Sequence, residues 1–191
     1  MYNSFFAYIF RTRYIARWSL MRNTRVENVE EHSYEVAVLA HGLAVIGRDV
    51  LGRAIDPNAA AAAALFHDAP EIITGDLPTP IKHHNPHLEQ AYRQVEEMAR
   101  HKLLDTLPPE LRPAYLPLLG GEDPVLTRYV KAADKLAAWL KCQEELKAGN
   151  REFGRAADET LAALQAMDME EVSWFLERMG NSFQLTLDDL D

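Results

Sequence analysis

Residues 56–80 read DPNAAAAAALFHDAPEIITGDLPTP, and how this stretch is parsed decides the fold. Asp56 before Pro57 is a helix start, because the aspartate side chain caps free N–H groups and proline suits the first helical position. From Ala59 to Phe66 the chain is apolar on every side, as expected of a central helix rather than a surface one. His67 and Asp68 follow at its end. An anion at the negative end of a wholly apolar helix is unfavourable unless a cation compensates it. Beyond them Gly75, Pro78 and Pro80 mark a rigid turn-rich loop.

Outward from this stretch the helix signals repeat. Asn85-Pro86 and Asp123-Pro124 have the same form as Asp56-Pro57, and Asn28 with Glu31 three residues on has the form of a capping box. After Asn28, His32 lies on one face with Val36, Leu39, Ala40 and Leu43, so it points inward. The segment from Asn85 carries Leu88, Ala91, Tyr92, Val95, Met98, Ala99, Lys102 and Leu103 as a one-sided stripe, which reads as a long amphipathic helix. From Asp123 the positions Leu126, Val130, Ala133, Ala137 and Leu140 repeat at three and four, with Asp134 at the border and Gly149-Asn150 as the stop. Further helical periods run from Arg151 to about Ala166 and from Met169 to about Met179. Nothing alternates with period two, so the expected fold is all-α.

Composition agrees with a globular protein: 191 residues, 48% hydrophobic and 26% charged. That length favours one domain, 1–191, with a core at about 28–148 and the terminal segments packed on it. No stretch approaches the roughly 20 apolar residues of a membrane span. A single cysteine, Cys142, rules out an intramolecular disulfide and makes the cytoplasm the default compartment. The net charge of -9 argues against polymeric nucleic acid as a partner. Before Glu27 there is no acidic residue, however, and Arg11, Arg13, Arg17, Arg22 and Arg25 make an Arg-rich, aromatic N-terminal segment where an anion could sit. A transit peptide would be Arg-rich too, but Tyr2, Phe5, Phe6, Tyr8, Phe10, Tyr14 and Trp18 are suited to packing on a core. The segment is read as a folded helix.

A His-Asp dipeptide is weak evidence alone; its context carries the argument. His32, His67-Asp68 and Asp134 offer two imidazoles and two carboxylates from three helices, enough to hold one divalent ion while leaving sites for water and substrate. The plainer reading of each is a helix-start histidine, a helix-end aspartate and a surface aspartate paired with Lys131 or Lys135. His83, His84 and His87 suit surface contacts better than a second metal, His41 reads as a capping or packing residue, and Cys142 as a small buried hydrophobe.

The order His32, His67-Asp68, Asp134 resembles the HD-domain metal-dependent phosphohydrolases, a helical superfamily. The strings RWSLMRNTRVENVEEHS, FHDAPEIITGDLPTPIK and LKCQEELKAGN are similar to those of the bacterial 5'-deoxynucleotidases, with TGDLPTP the most specific, and the resemblance covers nearly the whole chain. It implies an HD-domain helical bundle with His32, His67, Asp68 and Asp134 as metal ligands. It implies that Arg17 orients the substrate phosphate, that Trp18 contacts the substrate, and that Asp76, Leu77, Pro78 and Thr79 receive the deoxynucleoside, with His32, Asp68 and Asp134 also lining the substrate site. Glu71 matches an acidic residue required for turnover. The resemblance further implies a homodimer, one divalent ion per subunit with cobalt, manganese or copper supporting activity, and a deoxyribonucleoside 5'-monophosphate substrate with little regard for the base. Other HD phosphohydrolases act on triphosphates, cyclic nucleotides or alarmones, and a catalytically silent nucleotide-binding module is the non-enzyme alternative. Pro70 departs from the family pattern and leaves the position of Glu71 open, because proline removes a helical hydrogen bond and biases Ala69 away from α.

Overall fold

A computed structural model describes residues 3–82, 85–121 and 123–190. The described chain is helical: α1 (Phe5–Ile9), α2 (Val29–Val45), α3 (Pro57–Leu65), α4 (Glu71–Thr74), α5 (Thr79–Lys82), α6 (Pro86–Asp105), α7 (Arg112–Gly120), α8 (Pro124–Lys147), α9 (Gly154–Gln165) and α10 (Glu170–Met179). The described residues contain no strand, only an isolated antiparallel bridge between Ala16 and Asn28. Among the described residues no helix is long and apolar enough to cross a membrane.

The local starts are those the sequence announces. Asn28 accepts from the Glu31 N–H, Asp56 from Asn58, Asn85 from Leu88, and Asp123 from Val125 and Leu126. The Asn28 cap is one half of the expected box, since the Glu31 carboxylate reaches Arg25 instead. After α8, Gly149 takes the left-handed conformation at φ +85°, where a side chain would be strained, and the helix stops as expected.

The main core lies where α2, α3, α8, α9 and α10 meet, with Val36, Leu43, Ala60, Ala64, Ala133, Leu136 and Leu164 among its buried side chains. A second cluster joins Phe5 of α1 to Leu103, Leu107 and Leu119. A third, around Cys142, Phe153 and Ala157, receives Trp18 and Met21 from the N-terminal segment.

Four expectations are corrected. The alanine-rich α3 is not buried all round: Ala60 and Ala64 face the core while Leu65 is 48% exposed, because six alanines carry no sidedness. On α6 only the C-terminal part of the stripe, Ala99 and Leu103, is buried, whereas Leu88, Val95 and Met98 lie exposed. The N-terminal segment is two short pieces, α1 and a 3-10 turn at Thr12–Tyr14, rather than one helix. Phe5 alone of its described aromatics is fully buried; Phe6, Phe10 and Tyr14 are exposed. His41 and His87 are exposed too, so His41 is a surface residue of α2 rather than a buried packing one. Tyr2, His83 and His84 lie outside the described residues.

Candidate functional site

The site forms where the start of α2, the end of α3 and the middle of α8 converge. His32, one turn into α2, is fully buried, and its Nε2 lies 3.0 Å from Asp134 Oδ1 and 3.6 Å from Asp68 Oδ2. His67 and Asp68 sit in the turn that ends α3, with His67 Nε2 3.2 Å from Asp68 Oδ2. The two imidazole rings are 5.5 Å apart. Arg17 donates through Nη1 to the same Asp68 oxygen at 3.2 Å, so Asp68 Oδ2 is the point on which two histidines and the guanidinium converge. Asp134 meets His32 rather than Lys131 or Lys135, which favours the site reading over the plain surface pair.

The donor set fits a divalent cation. Ligand atoms of His32, His67 and Asp68 all lie within 4.8 Å of one another, and Asp134 reaches the same His32 nitrogen from α8. His67 Nδ1 donates to the Ala64 carbonyl at 2.7 Å, which fixes the ring and directs Nε2 inward. That Nε2 is buried, 3.2 Å from Asp68 Oδ2 and with no geometrically satisfied hydrogen bond. A buried imidazole nitrogen held this way has the geometry of a ligand. Two nitrogens and two oxygens suit several first-row divalent ions.

Electrostatics hold both carboxylates of the set ionised, as cation ligands must be. Burial would raise the Asp68 carboxyl, but His67, His32 and Arg17 outweigh it and hold the group well below the usual carboxylate range. Asp134 is lowered against burial chiefly by its hydrogen bond to His32. Burial opposes charge on His67, yet Asp68 prevails and the imidazole rises to about 9. The Arg17 guanidinium, also opposed by burial, is raised by Asp68, Asp134 and Glu27.

Glu71 behaves oppositely. Burial, then repulsion from Asp68 and Asp76, pushes its carboxyl up to about 9, so it carries a proton at neutral pH. Its Oε2 is buried with no hydrogen-bond partner. Although it lies only four residues beyond His67, Glu71 does not share a helix with it. Instead α3 ends near Phe66, a tight turn follows in which the Glu71 N–H bonds the Asp68 carbonyl at 3.0 Å, and Pro70 caps the new helix α4. There its missing N–H costs nothing, and Glu71 stays beside Asp68. Gly75 closes α4 at φ +72° and turns the chain into the loop of Asp76, Leu77 and Pro78, while Thr79 opens α5. Burial raises Asp76 as well, partly offset by Arg17.

Trp18 follows Arg17 at φ +58°, an outlier for a bulky residue. Its ring packs on Phe153 at 5.3 Å and its indole N–H donates to Glu27 at 2.9 Å. The core-packing reading of Trp18 is therefore correct for its ring, while its neighbour lies in the site. Arg13 is a half-exposed surface partner of Glu30, and Arg11 is exposed as well.

Two acidic residues were not singled out by sequence. Glu27 is buried beneath Arg17, Trp18 and His32. Glu145, fully buried on α8, accepts from Thr24, Lys141 and Asn150 and ties residues 22–25 down. The available signals were position alone: Glu27 as the first acidic residue of the chain, and Glu145 within LKCQEELKAGN.

The sequence model of the 5'-deoxynucleotidase YfbR-like family matches residues 4–183. The chain belongs to that family. A curated 5'-deoxynucleotidase of Vibrio cholerae is 44% identical over 97% of this chain and 97% of its own length. Among solved structures, an HD-domain phosphohydrolase from Listeria innocua superposes with a TM-score of 0.82 at 24% identity, covering 94% of this chain and 88% of the other. The cyanophage S-2L HD phosphohydrolase DatZ, bound to dA and one catalytic Zn2+ ion, superposes with a TM-score of 0.67 at 21% identity, covering 92% and 96%. At those identities the two structures establish the HD-domain fold.

Proposed function

We propose that this protein is a metal-dependent 5'-deoxynucleotidase, hydrolysing deoxyribonucleoside 5'-monophosphates to deoxynucleoside and phosphate. The observation that carries this reading is the convergence of His32, His67 and Asp68 beside Arg17 in a chain of this family. His32, His67, Asp68 and Asp134 would hold one divalent ion. When bound, such an ion activates water and polarises the phosphoryl group.

Arg17 orients the phosphate, its planar guanidinium offering two parallel donors that lysine cannot match. Its ion pair with Asp68 at 3.2 Å supports that role, because it keeps the guanidinium beside the proposed ligands. In the hydrolysis the water oxygen bonds to phosphorus as the bond to the 5'-oxygen breaks. The leaving oxygen then needs a proton. Glu71, protonated at neutral pH and without a hydrogen-bond partner at Oε2, supplies it as general acid, and the proton given up by the attacking water restores the Glu71 carboxyl, so no net proton is consumed. The loop of Asp76, Leu77, Pro78 and Thr79 receives the deoxynucleoside, Asp76 taking a sugar hydroxyl. With the sugar held in register near Trp18, a 2'-hydroxyl is crowded or left unpaired, so deoxyribose is preferred; no residue of this set reads base edges.

The single domain rests on chain length, and the further assignments rest on the family resemblance: a homodimer, one ion per subunit, and cobalt, manganese or copper as supporting ions. The cytoplasm follows from the one buried cysteine. The test is inorganic phosphate release from a panel of 5'-mono-, 5'-tri-, 3'-mono- and cyclic nucleotides with and without added divalent metal. Turnover confined to 5'-monophosphates and dependent on metal is expected. Turnover of triphosphates or cyclic nucleotides alone would replace this reading with that of another HD phosphohydrolase.

A further inference from the structure

Glu27 is buried where the Arg17 segment meets the start of α2. One oxygen, Oε2, accepts from both Arg17 Nε at 3.1 Å and Trp18 Nε1 at 2.9 Å. The other, Oε1, lies 3.8 Å from His32 Nδ1. The backbone reinforces the junction, with the Arg17 N–H on the Glu27 carbonyl at 3.0 Å and the Val29 N–H on the Ile15 carbonyl at 3.0 Å. One carboxylate thus touches the guanidinium, the indole beside it and the back of an imidazole.

The chemistry of that imidazole makes the contact directional. A His32 that offers Nε2 to an ion carries its ring proton on Nδ1. This Nδ1 is fully buried and has no hydrogen-bond partner. The Glu27 carboxylate is the acceptor that faces it, at 3.8 Å; drawn in to hydrogen-bond distance, such a carboxylate fixes the tautomer and ring orientation of a metal-ligating histidine. On its other side the same group fixes the guanidinium through Nε, leaving Nη1 turned to Asp68, and its bond to the indole N–H holds Trp18 in its strained conformation.

We propose that Glu27 is a positioning residue that locks Arg17, Trp18 and His32 into one unit, so that the phosphate clamp and the metal ligand keep a fixed relation. This rests on the functional reading above. Glutamine is the discriminating substitution. Whichever way its amide turns, it presents an N–H group either to the Arg17 and Trp18 donors or to the His32 Nδ1–H. With two hydrogen bonds on the Oε2 side, the amide oxygen takes that side and the mismatch falls on His32.

The test uses the full-length protein and two readouts that do not depend on turnover. Metal affinity is measured by competition with a chromophoric chelator, and inorganic phosphate binding to the metal-saturated protein by calorimetry. Glu27→Gln should weaken metal binding roughly 10- to 100-fold, with phosphate affinity little changed. Glu27→Ala should weaken metal binding similarly and phosphate binding by about tenfold as well, because Arg17 loses a charge-assisted anchor. Both variants are checked by thermal melting. Folded variants with metal and phosphate affinities within twofold of wild type would overturn the proposal, and if Glu27→Ala unfolds, metal binding by Glu27→Gln decides alone. A wild-type protein that binds no divalent ion would instead overturn the functional reading, which separates the two failures.

Discussion

Replacing Glu145 by alanine tests how residues 22–25 are held. Its carboxylate is fully buried and accepts from Thr24 N–H at 2.9 Å, Thr24 Oγ1 at 2.7 Å, Arg25 N–H at 3.3 Å and Asn150 Nδ2 at 2.9 Å, with Lys141 Nζ as its ion-pair partner. The alanine variant leaves Lys141, itself 5% exposed, as a buried cation. Removing one member of a buried pair costs about 3–5 kcal/mol. Because Lys141 keeps its bond to the Arg25 carbonyl at 2.7 Å, the lower part of that range applies, about 3–4 kcal/mol. For a chain of this size each kcal/mol moves Tm by about 2–4 °C, so a drop of roughly 6–16 °C is expected in a melting experiment. The double variant Lys141→Met with Glu145→Leu should recover much of it, since an apolar pair leaves no unpaired charge. A Glu145→Ala protein within about 1 kcal/mol of wild type in urea titration would refute this account of the network.

Other outcomes follow from the same geometry. Burial alone would raise the Glu145 carboxyl, but Lys141, Asn150 and Thr24 outweigh it and hold it well below the usual range. Its stabilising contribution is therefore full above the unfolded value of 4.5 and is lost as pH falls below it. Acid titration of wild type and Glu145→Gln should show the difference in stability shrinking below that pH, and a constant difference would contradict the assignment. Glu71→Gln should keep its metal while kcat falls roughly 100- to 10,000-fold; loss of the metal would make Glu71 a ligand instead. A general acid with a pKa raised to about 9 loses its proton at high pH, and a cation bound beside Asp68 lowers that value. The high-pH limb of kcat should accordingly fall below pH 9 and vanish in Glu71→Gln. An unpaired buried hydroxyl costs roughly 1–3 kcal/mol, so kcat/KM for dAMP should exceed that for AMP by about 5- to 150-fold. Equal values would reject sugar selection.

Local signals made most of the fold legible. The caps at Asn28, Asp56, Asn85 and Asp123 act within three residues, so their side chains announce each helix without reference to the rest of the chain. The periodicity that turned His32 inward and set Asp134 beside a buried stripe is local in the same sense. What local reading could not supply was sidedness and distance. Six alanines look alike on every face, so the exposure of Leu65 was hidden, and the aromatic spacing before Trp18 did not distinguish buried Phe5 from exposed Phe6 and Tyr14. The role of Glu145 depends on Thr24, 121 residues away, and no pattern within α8 reports it. Glu27 lay closer, but its partners are set by the Ala16 to Asn28 bridge, which the sequence does not show. Pro70 illustrates the reverse: read as a helix defect, it proves to begin a new helix and keep Glu71 beside Asp68.

The most direct test is a metal titration of protein stripped by chelation, following bound ion and phosphate release from dAMP in the same samples. The account predicts no turnover in the stripped protein, recovery that rises linearly and saturates at one ion per subunit, and neither ion retention nor turnover in a helical Asp68→Ala variant. Full activity after exhaustive chelation, or saturation only at two ions per subunit, would contradict it.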